Sequence, residues 1–306
     1  MAEPEKTGLR GLIARYPLIS FFTLAMGLSW IAWTPYILGR NGLGVEPEIA
    51  FPEIMGTTQL FGVLPGAYLG PILAAFLVTA AAEGRPGLRR WAGRLLKWKV
   101  NWRWYVGSIF GVPAALILTG MVLNGGEAHV PGAAVFVALV PGLVLQMVTT
   151  GLAEEPGWRD FALPHLQPKF GPLRGTLILG PLWGLWHLPL FFSEWGRWPD
   201  VTVWTIVVFV ATTTLFSILM TWVFNRSGQS LPIAMLVHTG VNNTISVAWA
   251  DVFPNAEADD VALVFLVSSA IAAAAVLIAT RGRLGYRPEA VASPSTSAQV
   301  SSPGGG

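Results

Sequence analysis

AVFVALVPGLVLQMVTTGLAEEPGWR, residues 134–159, carries no charge through its first twenty positions and then meets Glu154, Glu155, Pro156 and Arg159. About twenty apolar residues are what a helix needs to cross a ~30 Å hydrocarbon core, so the stretch reads as a membrane span ending at the two carboxylates. Similar runs recur along the chain. They predict eight spans, at 17–38, 57–82, 104–123, 134–154, 173–192, 201–224, 230–249 and 260–280. Composition agrees. The 306 residues are 53% hydrophobic and 12% charged, whereas a soluble domain carries roughly 25% charge. The expected fold is an all-α, polytopic membrane helix bundle of about eight transmembrane helices, with residues 1–287 as a single integral membrane domain.

Charge predicts the direction of the spans. Eight spans with the N-terminus inside place every basic residue except Arg40 and Arg197 on inner segments. Glu46, Glu48, Glu53, Glu127, Asp251, Glu257, Asp259 and Asp260 then fall on outer loops. The positive-inside rule favours this arrangement, with both termini cytoplasmic, in what is expected to be the plasma membrane of a prokaryote. The first span is too long for a cleaved signal peptide, and no small-residue cleavage site follows Leu38. Residues 85–103 mix bases with Trp91, Trp98 and Trp102, a pattern for an amphipathic segment lying on the inner leaflet. It would serve as a topology anchor or as a surface that recruits a lipidated substrate. Residues 288–306 are rich in Ser, Pro, Gly and Ala without apolar periodicity and are expected to be disordered. A net charge of +2 gives no footing for nucleic acid, and the absence of cysteine excludes thiol chemistry.

Three short polar pieces stand in or beside the spans, where carboxylates and imidazoles are costly and seldom persist without a partner or a task. In the first, Glu154 and Glu155 point about 100° apart on a helix and cannot face the same atom. Arg159 is four residues beyond Glu155, the spacing for a helical ion pair that would leave Glu154 for chemistry. Pro156 suits the first turn of a new helix, so a break or kink is expected there. Gln146, Thr150 and Glu154 form a polar stripe at four-residue intervals. In the second piece, Trp183 stacks over His187, and Gly180 and Gly184 open the same side to a neighbouring helix. In the third, His238 and Asn242 share a face and could donate two hydrogen bonds to one oxyanion. Each piece alone could be an interfacial cap, a packing residue or interhelical hydrogen-bonding glue. Together they contain what is needed to activate water and bind an oxyanion. Their depths conflict, with Glu154 at the inner end of its span and His187 toward the outer end of its own. Shifted span boundaries or a funnel-shaped site would reconcile them.

The order Glu-Glu-x-x-x-Arg, aromatic-x-x-x-His, His-x-x-x-Asn resembles the CPBP family of intramembrane proteases, which includes type II CAAX prenyl endopeptidases and Abi-like proteins. The resemblance covers residues 140–250, with Trp183 standing where the family usually has Phe. It implies hydrolysis of a peptide bond in a hydrophobic or lipidated substrate within the membrane, prenylated proteins among them. By resemblance, Glu154 is the general base with help from His187, while His238 and Asn242 stabilise the oxyanion. Glu155 and Arg159 support the site, and Trp183 supplies aromatic packing. Glu154, His187 and His238 could also ligate Zn²⁺, although no His-Glu-x-x-His helix is present, and a metal-free mechanism is equally consistent with the residues. Two other readings stay open. One is a proton- or solute-coupled transporter, disfavoured because the polar residues crowd into the second half of the chain. The other is a catalytically silent scaffold or immunity protein.

Overall fold

A computed structural model describes residues 8–288 of the chain. Lys6 and the tail expected to be disordered, from 289 onward, lie outside the described residues. The short α1 (Gly8–Arg15) leads into α2 (Pro17–Leu38). Next come α3 (Leu64–Ala82), α4 (Gly84–Leu95), α5 (Trp102–Leu123) and α6 (Ala133–Phe170). The remainder is α7 (Pro172–Trp186), α8 (Val203–Arg226), α9 (Leu231–Asn243) and α10 (Ala258–Thr280). Among the described residues the only β pairing is an isolated bridge between Ile54 and Thr57. The expected all-α membrane bundle is what is observed.

Seven helices among the described residues are long and apolar enough to cross a membrane; the segment expected to span at 230–249 is not one of them. It is nevertheless helical. Leu231–Asn243 continues through a π-turn at Thr244–Ala248 into Trp249–Val252. Every residue from Leu231 to Val241 is buried. A helix enclosed by protein can carry His238, Thr239, Asn243 and Thr244 because its neighbours, rather than lipid, meet those groups. Its polarity and its position therefore have one cause. The lipid-exposed helices show the opposite pattern: Val137, Val140 and Val144 form an outward stripe on α6 and are each more than half exposed.

Of the break or kink expected at Pro156, no break is found. Helix α6 runs from Ala133 to Phe170, and the disturbance takes the form of two π-helical turns, Met147–Gly151 and Trp158–Ala162, on either side of Pro156. Such single-turn bulges widen a helix without ending it and gather at functional sites. The span therefore does not stop at Glu154. The two carboxylates sit well inside a long helix rather than at its end.

Close approaches bring the elements together. On α3 and the turn before it, a Cβ at Gly62 or Gly66 would run into the rings of Tyr36 or Trp33, and one at Gly70 would lie 1.9 Å from Ser29 Oγ. At Gly157 a Cβ would meet Pro71 at 2.5 Å, so α6 lies directly on α3 beside the carboxylates. Gly180 and Gly184 admit α8, where an added Cβ would be 2.6 Å from Thr214 Cα and 2.5 Å from Thr213 Oγ1. Small residues allow this contact between helices that share no hydrophobic driving force in lipid. A buried aromatic cluster of Phe21, Trp33, Trp158, Phe161 and Trp186 fills the centre. Two of its three indoles are hydrogen-bonded: Trp186 Nε1 donates to Ser29 Oγ (2.7 Å), Ser29 Oγ to the Gly66 carbonyl (2.7 Å), and Trp33 Nε1 to the Val63 carbonyl (2.7 Å), while buried Trp158 Nε1 has no hydrogen-bond partner among the described residues. The amphipathic stretch at 85–103 includes α4, which anchors beneath α6. There Trp91 Nε1 donates to the Pro156 carbonyl (3.0 Å), and Arg94 pairs with buried Asp160.

Candidate active site

Helices α6, α7 and α9 bring the polar pieces into one buried region. Glu154 and Glu155 point to different neighbours, as adjacent helical residues must. Glu154 Oε2 accepts a hydrogen bond from Trp183 Nε1 at 2.8 Å. Glu155 Oε1 lies 2.8 Å from His238 Nδ1, and Glu155 Oε2 lies 3.5 Å from Arg159 Nε. The second contact is an ion pair without a hydrogen bond, since both of those atoms lack a hydrogen-bond partner. Glu155 and Arg159 are fully buried, and Glu154, His187 and His238 are nearly so.

Arg159 has further neighbours. Its guanidinium lies 4.4 Å from the centroid of the Trp183 ring, and Nη2 donates to Ser217 Oγ at 3.3 Å. Trp183 is thus the junction of the site: its indole N–H holds Glu154, its face covers Arg159, and its ring meets the His238 ring nearly at right angles at 5.1 Å. The sequence gives Trp183 a packing role only. Its hydrogen bond to Glu154 depends on which edge of the indole the helix presents, and spacing does not specify that.

The two imidazoles are held alike. His187 Nδ1 lies 3.0 Å from the Trp183 carbonyl oxygen, which can only accept, so Nδ1 carries the proton. His238 Nδ1 likewise faces a carboxylate oxygen of Glu155. In both rings the partner fixes the orientation and leaves Nε2 as the nitrogen available to a ligand. His187 also lies in an aromatic box, stacked on Trp195 at 5.3 Å with edge contacts to Trp186 and Phe209. Trp195 and Phe209 were not apparent as site residues, because neither belongs to a polar motif.

Glu154 and His187 make no hydrogen bond with each other; Trp183 links them, through its indole N–H on one side and its carbonyl on the other. Asn242 is half-buried, one helical turn beyond His238, and makes no hydrogen bond to the described residues. The neighbouring Asn243 is the structural amide: it is buried, and its Nδ2 donates to the Leu139 carbonyl at 2.9 Å. Among the described residues no group of three His, Asp or Glu side chains is gathered closely enough to hold a metal ion. Glu154, His187 and His238, the trio considered for Zn²⁺, therefore do not present a converged ligand set in this arrangement.

Comparison with known proteins supplies an independent line. Residues 136–244 match the family model described as type II CAAX prenyl endopeptidase Rce1-like. A curated relative, CAAX prenyl protease 2 of Methanococcus maripaludis, is 23% identical over 246 residues, covering 77% of this chain and 88% of that protein. The matched segment contains α7 and runs from early α6 through α9, so all three polar pieces fall inside it.

Proposed function

We propose that this chain is a CPBP-family intramembrane endopeptidase that hydrolyses a peptide bond of a hydrophobic or lipidated substrate, with prenylated proteins as the first class to test; the match of residues 136–244 to the Rce1-like family model and the likeness to CAAX prenyl protease 2 support this reading. The observation that carries this reading is the buried pairing of Glu154 with Trp183 beside the Glu155–His238 and Glu155–Arg159 contacts. Structural burial alone does not call for so many ionisable groups at membrane depth.

In the proposed mechanism Glu154 takes a proton from water as that water attacks the scissile carbonyl. Trp183 Nε1 fixes one carboxylate oxygen, leaving the other to face the water. His187, with Nδ1–H tied to the Trp183 carbonyl, offers Nε2 as a second acceptor toward the same water. The developing negative charge on the carbonyl oxygen requires donors in place beforehand. Asn242 Nδ2 has no competing bond and can supply one. His238 can supply the other through Nε2–H if its ring is doubly protonated, with Nδ1–H donating to Glu155. Glu155 is then the counter-charge for that imidazolium, and Arg159 balances Glu155 in turn. The proton held by Glu154 passes to the leaving amine as the tetrahedral intermediate collapses.

The test is cleavage of a prenylated or hydrophobic peptide by the purified protein in liposomes. Glu154→Gln should reduce turnover to background while leaving thermal stability nearly unchanged, because the amide is isosteric. Wild-type-like turnover in a well-folded Glu154→Gln protein would remove Glu154 as the base.

A further inference from the structure

A second, apolar feature lies behind α9, away from the carboxylates. Helices α5, α8, α9 and α10 enclose a cleft of about 560 Å³, within the size range of small-ligand pockets. Its wall on α5 is one helical face, with Trp104, Gly107, Gly111 and Ala115 recurring every three or four residues. From Trp104 to Leu116, the last α5 residue in the wall, twelve residues rise about 18 Å. That is close to half of a ~30 Å hydrocarbon core. The cleft therefore has the depth of one leaflet and begins at the end of α5 that follows the basic 85–103 segment.

Its polar end holds an unneutralised charge. Arg103 lines the cleft, is exposed, and forms no ion pair with any described residue; its guanidinium lies 5.9 Å from the Trp102 ring. Asn101 stands beside it. Below them the wall is mostly aromatic and aliphatic, with Trp104 and Trp222 in edge contact at 5.4 Å, interrupted by the hydroxyls of Ser108, Ser268 and Ser269. A cation above a leaflet-deep apolar slot complements a lipid whose phosphate is at the surface and whose chain runs inward. We propose that this cleft binds one acyl chain of an anionic phospholipid, with the phosphate on Arg103.

The cleft also adjoins the site. Val237 and Val241, either side of His238 on α9, form part of its wall, as does Phe216, whose ring is 6.2 Å from that of His238. A chain in the cleft supports α9 from behind and holds His238 against Glu155. This second step rests on the endopeptidase reading; the lipid site itself does not.

The experiment uses the full-length protein, delipidated in detergent and titrated with phosphatidylglycerol or phosphatidylcholine, with bound lipid read by native mass spectrometry and stability by thermal melting. Phosphatidylglycerol should be retained and should raise the melting temperature more than phosphatidylcholine does. Arg103→Gln should weaken phosphatidylglycerol binding about fivefold, the value of one basic residue at an anionic surface. Gly111→Phe should abolish retention. A Cβ at Gly111 meets nothing within 4 Å, so the larger side chain can enter the cleft without moving backbone. Equal binding of the two lipids, unchanged retention in Gly111→Phe, or displacement of the lipid by a prenylated peptide would each overturn the proposal. Peptide cleavage is measured separately in phosphatidylglycerol and phosphatidylcholine liposomes. Should Glu154→Gln stay active while lipid retention behaves as stated, the base assignment fails and the lipid site stands.

Discussion

The buried pair Glu155–Arg159 gives the sharpest quantitative test. Both side chains are fully buried, and their 3.5 Å contact leaves Glu155 Oε2 and Arg159 Nε and Nη1 without hydrogen bonds. Such a pair does not recover the whole cost of removing two charges from water. Removing Glu155 leaves Arg159 as an uncompensated buried charge, at about 3–5 kcal/mol. Glu155→Leu should therefore lower stability by that amount, and Arg159→Met by less, since His238 still faces Glu155. The double variant Glu155→Leu/Arg159→Met replaces the pair with apolar groups and should recover most of the loss, since replacement of a whole buried pair is often neutral or stabilising by about 1–4 kcal/mol. The expected coupling is about 3 kcal/mol or more, far above the few tenths found for independent sites. Thermal melting in detergent ranks the four proteins, and peptide cleavage in liposomes supplies the second readout. The double variant should be stable yet inactive, because His238 Nδ1 has lost its carboxylate partner. If the two single losses simply add, the charges are not coupled as the geometry states. If the double variant turns over like the wild type, Glu155 has no part in orienting His238.

Two further outcomes follow from the same geometry. Trp183→Phe keeps an aromatic face over Arg159 but removes the donor to Glu154. With a hydrogen bond to a charged group contributing about 1.5–3 kcal/mol, kcat should fall at least tenfold with KM little changed; an unaltered kcat would mean that the indole N–H does not position the base. Asn242→Ala should lower kcat about 10²–10³-fold with little effect on melting, as for other oxyanion donors, whereas Asn243→Ala should lower stability because it removes the bond to the Leu139 carbonyl. The reverse pattern in the two asparagines would exchange their roles.

Hydropathy and residue spacing were enough to read the all-α membrane class, most of the spans and the three polar pieces. Both signals are local: about twenty apolar residues must cross the core as helix, and residues four apart must share a face. Those rules placed Arg159 within reach of Glu155 and His238 on one side with Asn242. They were less specific for α6. Proline chemistry predicted a break or kink at Pro156, and the helix, packed there on α3 and α4, runs on without a break through two π-turns. What only the tertiary structure decided is which side chain on one helix meets which on another. Glu155 and His238 are 83 positions apart, and Glu154 and Trp183 are 29 apart. Such contacts depend on how far each helix is rotated and how closely glycines let it approach, and no periodicity within a single helix encodes either.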